Sequence, residues 1–164
     1  MQGVIDLVLV TAGDVELLYR LQLAAFMPLY EKYHDDETSP AKETLERITE
    51  KITAPNSEFY LIRFAGKAVG GIRIRHGQSD IMQSDVNWIS PFFVVPEFQN
   101  RGIGGKAIRK IFEMYPETLA WKLNTIKQER GNCHLYEKCG FVKTGTEYAV
   151  NEQMTLIDYE RTCF

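Results

Sequence analysis

The sequence contains little cysteine and no excess of basic residues. Its three cysteines, Cys133, Cys139 and Cys163, form no C-x-x-C pair, and such an odd set is typical of a reducing compartment. The spacing of Cys133, His134 and Cys139 matches no zinc-ligand pattern, so no metal is expected. With 19 basic and 22 acidic residues the net charge is −3, so a nucleic-acid partner is not expected either.

Long apolar runs are also missing. No stretch approaches the roughly 20 consecutive apolar residues of a membrane-spanning helix, and residues 1–6 lack the basic and apolar regions of a signal peptide. We therefore expect a cytoplasmic protein without a membrane partner. At 164 residues, 45% of them hydrophobic, the chain is long enough to fold around a core of its own, and the lack of repeats and linkers predicts a single domain over residues 1–164.

Hydrophobic periodicity predicts alternating strands and helices. Runs rich in β-branched and aromatic residues indicate strands, and apolar residues at three- and four-residue steps indicate amphipathic helices. The predicted order is β-α-α-β-β-β-α-β-α-β-β. Strands are expected at 4–11, 57–64, 67–75, 86–95, 119–126, 141–150 and 153–159, and helices at 15–33, 39–53, 103–115 and 132–139.

Proline and glycine mark the irregular places. Pro28 is expected to bend or shorten the first helix, and Ser39 followed by Pro40 is expected to begin the second. The pair Gly70-Gly71 in the third strand indicates a bulge or a close backbone approach, and Pro91 indicates a disrupted ladder in the fourth.

A glycine-rich turn before the third predicted helix has the features of an anion site. The unpaired N–H groups of the first helical turn and the positive end of the helix dipole face one point there. Gly102, Gly104 and Gly105 would let a phosphate approach the backbone. Because several consecutive amides are available, a pyrophosphate is the expected ligand.

Three phosphate-binding motifs compete for this turn. The Walker loop fails because Ala107 follows Gly105-Lys106 and Asn100 stands where the first glycine belongs. The dinucleotide fingerprint G-x-G-x-x-G/A fits residues 102–107, but the turn follows a predicted antiparallel hairpin and does not open a βαβ unit. Dinucleotide-dependent redox chemistry stays open as an alternative. The third motif, Q/R-x-x-G-x-G/A, fits residues 99–104.

The segment 99–104, together with Leu135-Tyr136-Glu137-Lys138-Cys139-Gly140-Phe141, resembles the GCN5-related N-acetyltransferase (GNAT) family. The order of predicted elements is also similar to that fold. The resemblance implies an α/β (α+β) architecture with a mixed, mostly antiparallel central sheet of about seven strands and four helices. It implies an N-acetyltransferase that moves an acetyl group directly from acetyl-CoA to a primary amine of a small molecule or peptide. A homodimer stays open.

The resemblance also implies which residues form the site. The pyrophosphate of CoA would bind backbone amides of the glycine-rich turn, and the pantetheine arm would lie beside the preceding strand. Tyr136 would be the catalytic acid at the departing thiolate, because it matches the tyrosine of the family's Leu-Tyr-x-x-x-Gly-Phe stretch. The cofactor-binding residues are expected to be Phe93, Val94, Gln99, Asn100, Arg101, Gly102, Ile103, Gly104, Gly105 and Asn132.

Two positions depart from the family's pattern. The usual asparagine lies seven residues before the tyrosine, where this chain has Glu129, and whether Asn132 replaces it stays open. Many relatives carry a glutamate where this chain has Ser90, so the general base is unassigned among Ser90 with a water relay, Asp85 and His76. The missing carboxylate favours, as the alternative function, a non-catalytic acyl-CoA-binding or regulatory module.

Four acidic residues form a rim where the first predicted helix ends. Their carboxylates suggest a cationic acceptor such as a polyamine, an amino sugar or a basic peptide terminus, with a plain solvated loop as the alternative. The four residues are Glu31, Asp35, Asp36 and Glu37.

Overall fold

Seven strands form one mixed sheet in the order β1-β2-β3-β4-β5-β7-β6 in the computed structural model, which describes residues 3–77 and 86–163. Every neighbouring pair is antiparallel except β4 and β5, which run parallel. The predicted mixed, mostly antiparallel sheet is confirmed. The strands are β1 (Ile5–Leu9), β2 (Ser57–Phe64), β3 (Lys67–His76), β4 (Val86–Val94), β5 (Ala120–Ile126), β6 (Val142–Ala149) and β7 (Thr155–Thr162).

Four α-helices cover this sheet in the described ranges, in the predicted order. Phe59 and Leu61 of β2 pack in one apolar cluster, whereas Tyr60 and Ile62 pack in a second. Because successive strand residues point to opposite faces, the two clusters lie on opposite faces of the sheet. The first cluster includes α1 and α2, and the second includes α3 and α4. The helices are α1 (Val15–Tyr33), α2 (Leu45–Thr53), α3 (Ile103–Met114) and α4 (Arg130–Lys138).

The first two helices differ from expectation in detail. Helix α1 keeps its predicted bounds, so Pro28 does not shorten it. The prediction that α2 begins at Ser39 was wrong. Ser39 accepts a hydrogen bond from the Ala41 N–H, but it caps only a 3₁₀ turn, and α2 begins after a second cap, Thr44, which accepts from the Arg47 N–H at 3.1 Å. The intervening residue, Glu43, is extended, which breaks the helical path.

The pairing of β4 with the strands on its two sides is irregular. On the β3 side, Ile72 faces Phe92 but Ile74 faces Ile89, so the register shifts around Ser90 and Pro91, as Pro91 predicted. On the β5 side, pairing runs only from Val86 to Trp88 and then stops. The rest of β4 therefore has a free edge in the described structure.

A close backbone approach holds β3 against β4, as the glycine pair predicted. A Cβ on Gly70 would lie 2.1 Å from the carbonyl oxygen of Phe93, a contact that no side chain can make. Among the described residues, no helix combines the length and apolar character that crossing a membrane requires.

Candidate active site

Where β4 is no longer paired with β5, a cleft opens toward the start of α3. We call it the α3 cleft; it has a volume of about 440 Å³. Its walls come from α1, the free edge of β4, the glycine-rich turn and α4. Of the predicted cofactor-binding residues it is lined by Phe93, Val94, Gln99, Asn100, Gly102, Ile103, Gly104, Gly105 and Asn132.

The glycine-rich turn presents backbone N–H groups to the α3 cleft. Asn100 and Gly102 both have positive φ, 62° and 79°, and Gly102 is the N-cap of α3. The first helical bond is donated by the Lys106 N–H to the Gly102 carbonyl at 3.2 Å, so the three preceding N–H groups, 103–105, have no partner within the helix. Together with the helix dipole they favour an anion.

The glycines of this turn differ in function. A Cβ on Gly102 would meet no atom within 4 Å, so Gly102 faces open space at the cleft. A Cβ on Gly104 would lie 3.2 Å from the side chains of both Leu135 and Phe92. Gly104 therefore allows α3 to approach α4 and β4 closely.

Three predicted residues of the turn differ in what their side chains do. The side-chain amide of Gln99 donates to the Val94 carbonyl at 2.9 Å and so ties the turn to the end of β4. Ile103 is 2% exposed, so only its backbone is available to a ligand. The Arg101 guanidinium lies 5.0 Å from the centre of the Phe98 ring, and Arg101 is not among the residues lining the cleft.

A second cavity, which we call the loop cavity, adjoins the α3 cleft and has a volume of about 190 Å³. It lies between the segment 35–40, the bulged part of β4, and the β5 and β7 strands. Ser90 lines it. Five residues line both cavities and form their shared wall: Phe26, Leu29, Phe92, Asn132 and Tyr136.

Tyr136 lies in this shared wall, at the centre of an aromatic cluster. Its ring contacts those of Phe92, Phe141 and Tyr159, with centroids 6.0–6.2 Å away. Burial raises the pKa of the Tyr136 phenol, so it stays protonated at neutral pH. No described residue hydrogen-bonds the hydroxyl. It is therefore available as a neutral donor to a ligand.

Asn132 lies one helical turn before Tyr136, on the same side of α4. It is exposed, it lines both cavities, and its side-chain amide has no hydrogen bond to the described residues. It can hydrogen-bond a ligand that extends from one cavity to the other.

Glu129, at the position of the family's asparagine, is held by α1. Its carboxylate accepts hydrogen bonds from the Tyr33 hydroxyl at 2.5 Å and from the Lys32 ammonium at 2.9 Å. Burial alone would raise the pKa of Glu129, but these two bonds outweigh it, and the pKa lies below its usual value. A strongly ionised carboxylate that accepts two hydrogen bonds is a poor general base. It instead acts as a clamp that connects α1 to the start of α4.

The three candidates for the general base lie in different places. His76 has Nδ1 2.7 Å from Asn87 Oδ1 and Nε2 2.7 Å from Glu58 Oε1, at the end of β4 that is paired with β5. It is therefore remote from the free edge that lines the α3 cleft. Asp85 lies outside the described residues. Of the two described candidates, Ser90 lines the loop cavity and His76 lines neither cavity.

The acidic rim at the end of α1 divides into one buried and three exposed carboxylates. Asp35 is 6% exposed and lines the loop cavity. Asp36 accepts a hydrogen bond from the Tyr30 hydroxyl, and Glu31 and Glu37 are exposed. The sequence did not separate these four, and it did not indicate Phe26, which falls between the strongest apolar positions of α1.

A sequence profile described as the acetyltransferase (GNAT) family matches residues 16–141, which span both predicted motifs. The chain belongs to the GNAT acetyltransferase family. The family resemblance and the acyltransferase class that it implied are thereby confirmed.

One relative in sequence and two solved structures are similar to this GNAT protein. The uncharacterized protein YrkN of Bacillus subtilis (strain 168) is 33% identical over 127 residues, which cover 77% of this chain and 66% of YrkN. The spermidine N-acetyltransferase of Vibrio cholerae, solved with CoA and spermine, superposes with a TM-score of 0.75 at 17% identity over 96% of this chain and 95% of that one. An acetyltransferase from Thermus thermophilus has a TM-score of 0.75 at 18% identity, over 99% and 100% of the two chains. These structures share the GNAT fold.

Proposed function

We propose that this GNAT protein transfers the acetyl group of acetyl-CoA directly to a primary amine of a small molecule or peptide. The observation that carries the proposal is the wall shared by the α3 cleft and the loop cavity. A donor in the cleft and an acceptor in the cavity would meet there, beside Tyr136 and Asn132. We further propose that residues 1–164 act as one domain in the cytoplasm.

The α3 cleft fits the two chemically distinct parts of CoA. Its pyrophosphate suits the three unpaired N–H groups at residues 103–105, where the helix dipole adds to the attraction. Its pantetheine arm carries two amides, which suit the free edge of β4 beside Val94, in the manner of an added strand. Asn132 would hydrogen-bond the arm near the shared wall.

Acetyl transfer to an amine requires two proton movements. The amine must attack the thioester carbonyl as the free base, yet only roughly one part in a thousand of an alkylamine is neutral near pH 7. The departing thiolate must be stabilised as the C–S bond breaks. We assign Tyr136 to the thiolate, because its protonated phenol lies in the shared wall, and such a donor contributes about 10²- to 10⁴-fold in rate.

The general base stays unassigned, and Ser90 accounts for the alternative function. A serine hydroxyl is not basic at neutral pH, so proton removal at Ser90 would require a water relay. Since Ser90 lines the loop cavity where relatives have a glutamate, a non-catalytic acyl-CoA-binding or regulatory module is the second candidate.

Two measurements separate the transferase, the binding module and the dinucleotide hypothesis. Thiol release from acetyl-CoA in the presence of primary amines should show turnover for the transferase and none for the binding module. Thermal stabilisation by CoA is expected for both, because any ligand that binds the folded state stabilises it. Stabilisation by NAD(P) without stabilisation by CoA would contradict both and favour the dinucleotide hypothesis.

A further inference from the structure

Asp35 combines deep burial with a position in the wall of the loop cavity. From this we infer that Asp35 binds the acceptor's amino group in its ammonium form, before the amine releases its proton and attacks the thioester. We infer further that Asp35 restricts the acceptor to a compact amine with a single positive charge on an apolar body. The inference rests on the proposed acetyl transfer and names the class of substrate for the same site.

The charge balance of the loop cavity supports a cationic ligand. Asp35 is the sole charged side chain among the described residues that line it. Its Oδ2 accepts a hydrogen bond from the Thr38 hydroxyl at 3.0 Å, while no described residue donates to Oδ1 and no cation pairs with the carboxylate. An ammonium ligand would supply both the opposite charge and a donor for Oδ1.

The loop that carries Asp35 is built rigidly. The Thr38 and Ser39 N–H groups both donate to the Asp35 carbonyl, at 3.1 and 2.9 Å. From α1, the buried Gln22 side chain donates to the Pro40 carbonyl at 2.9 Å and so ties the end of the loop to the helix. The carboxylate is therefore held in place before any ligand arrives.

The remaining wall of the loop cavity is uncharged in the described residues, and more than half of its lining residues are apolar. Aliphatic and aromatic side chains from α1, β4 and the β7 region surround the space beside Asp35. At about 190 Å³ the cavity is smaller than the roughly 300 Å³ at which sites for drug-sized ligands begin. A polyamine or amino sugar would bring further ammonium groups, and among the described residues no second carboxylate lines the loop cavity to receive them. The larger apolar lining residues include Phe26, Leu29, Ile89, Phe92, Met154 and Leu156.

A comparison of three amines tests the inference. 2-Phenylethylamine carries one ammonium on an apolar body, whereas spermidine and kanamycin carry several on flexible or polar bodies. We expect the wild-type kcat/KM, measured by thiol release, to be highest for 2-phenylethylamine. In Asp35→Asn it should fall by at least about tenfold through KM, with the Kd for CoA unchanged by calorimetry. Glu37→Gln, which removes the same charge from an exposed position of the loop, should stay within about twofold.

Calorimetry on the CoA-saturated protein gives a readout that does not depend on turnover. Titrated 2-phenylethylamine should bind the wild type and Glu37→Gln, and should bind Asp35→Asn at least about tenfold more weakly. Faster turnover of spermidine or kanamycin, or equal loss in the two variants, would overturn the inference and leave acetyl transfer intact. Amine binding that depends on Asp35 without any thiol release would uphold the inference for binding and contradict the proposed reaction.

Discussion

The ring of Tyr136 lies edge-on to the ring of Phe92, with centroids 6.2 Å apart and planes at 62°. Phe92 belongs to the part of β4 that has left β5, and Tyr136 to α4, so the contact fixes the phenol where the two cavities meet. Phe141 packs against the same ring at 6.0 Å. The tyrosine is thus positioned by aromatic packing alone among the described contacts, and its hydroxyl is left for the ligand.

Tyr136→Phe isolates this hydroxyl. The variant keeps the aromatic contacts with Phe92 and Phe141, so its stability and its Kd for CoA should stay close to those of the wild type. The departing thiolate loses its donor, so kcat should fall by about 10²- to 10⁴-fold. Stopped-flow detection of the released thiol, together with calorimetry for CoA, measures both quantities.

Tyr19→Phe is the matched control for that experiment. It removes the same hydroxyl from α1, at a position that lines neither cavity, so its kcat should equal that of the wild type. An unchanged kcat in Tyr136→Phe would make the tyrosine a purely structural member of the core.

Asn132→Ala should show the opposite kinetic pattern. Loss of one hydrogen bond to the pantetheine arm removes about 0.5–1.5 kcal/mol, so the Kd for CoA should rise by roughly two- to tenfold while kcat changes little. Because alanine favours helix more than asparagine does, a weaker α4 cannot produce this result. Equal affinity for CoA in the variant and the wild type would show that Asn132 does not substitute for the family's asparagine.

Gly102→Ala tests the anion site through its backbone. Gly102 has φ of +79° and faces open space at the α3 cleft, so an alanine there is strained and places a methyl group where the pyrophosphate is expected. Strain of this kind lowers the stability by about 1–3 kcal/mol. The methyl group in the pyrophosphate position should raise the Kd for CoA by at least about tenfold. Gly66→Ala, at φ of +82° with equally open surroundings in the turn between β2 and β3, is the control. Gly66→Ala should be destabilised as much as Gly102→Ala and should bind CoA as the wild type does. Equal CoA affinities of the two variants would contradict the assigned pyrophosphate position.

Local patterns were sufficient wherever neighbouring residues decide the structure. The apolar spacing predicted α1 from Val15 to Tyr33 with both ends correct, and Gly70 marked the close approach of β3 to β4 because only a missing side chain permits it. The prediction of where α2 begins was wrong for a local reason as well. Two capping residues, Ser39 and Thr44, compete within six positions, and the sequence does not rank them.

Contacts between distant segments could not be predicted from the sequence. The four acidic residues around the end of α1 suggested a cationic acceptor or a solvated loop, yet packing buries Asp35 alone of them in the loop cavity. Glu129 was noted as a departure from the family's pattern, but its partner, Tyr33, lies 96 positions earlier. Neither periodicity nor motif spacing relates residues so far apart.

Tyr33→Phe tests this long-range clamp. The Tyr33 side chain is 3% exposed, and its hydroxyl donates to a carboxylate at 2.5 Å, a charge-assisted bond worth about 1.5–3 kcal/mol. The free energy of unfolding in urea at pH 7 should fall by that amount. Tyr148→Phe, on the exposed edge strand β6, removes an unbonded hydroxyl and should leave it unchanged.

Acid should abolish the difference in the free energy of unfolding between Tyr33→Phe and the wild type. The folded-state pKa of Glu129 is lowered, so its contribution to stability is fully present above the unfolded value of ~4.3 and is lost as the pH falls through the folded pKa. Urea unfolding of both proteins from pH 7 to pH 3 should therefore give a constant gap down to about pH 4.5 and a shrinking gap below it. A gap that stays constant to pH 3 would mean that the Tyr33 hydroxyl stabilises the fold without the Glu129 carboxylate, and the clamp between α1 and α4 would need another partner.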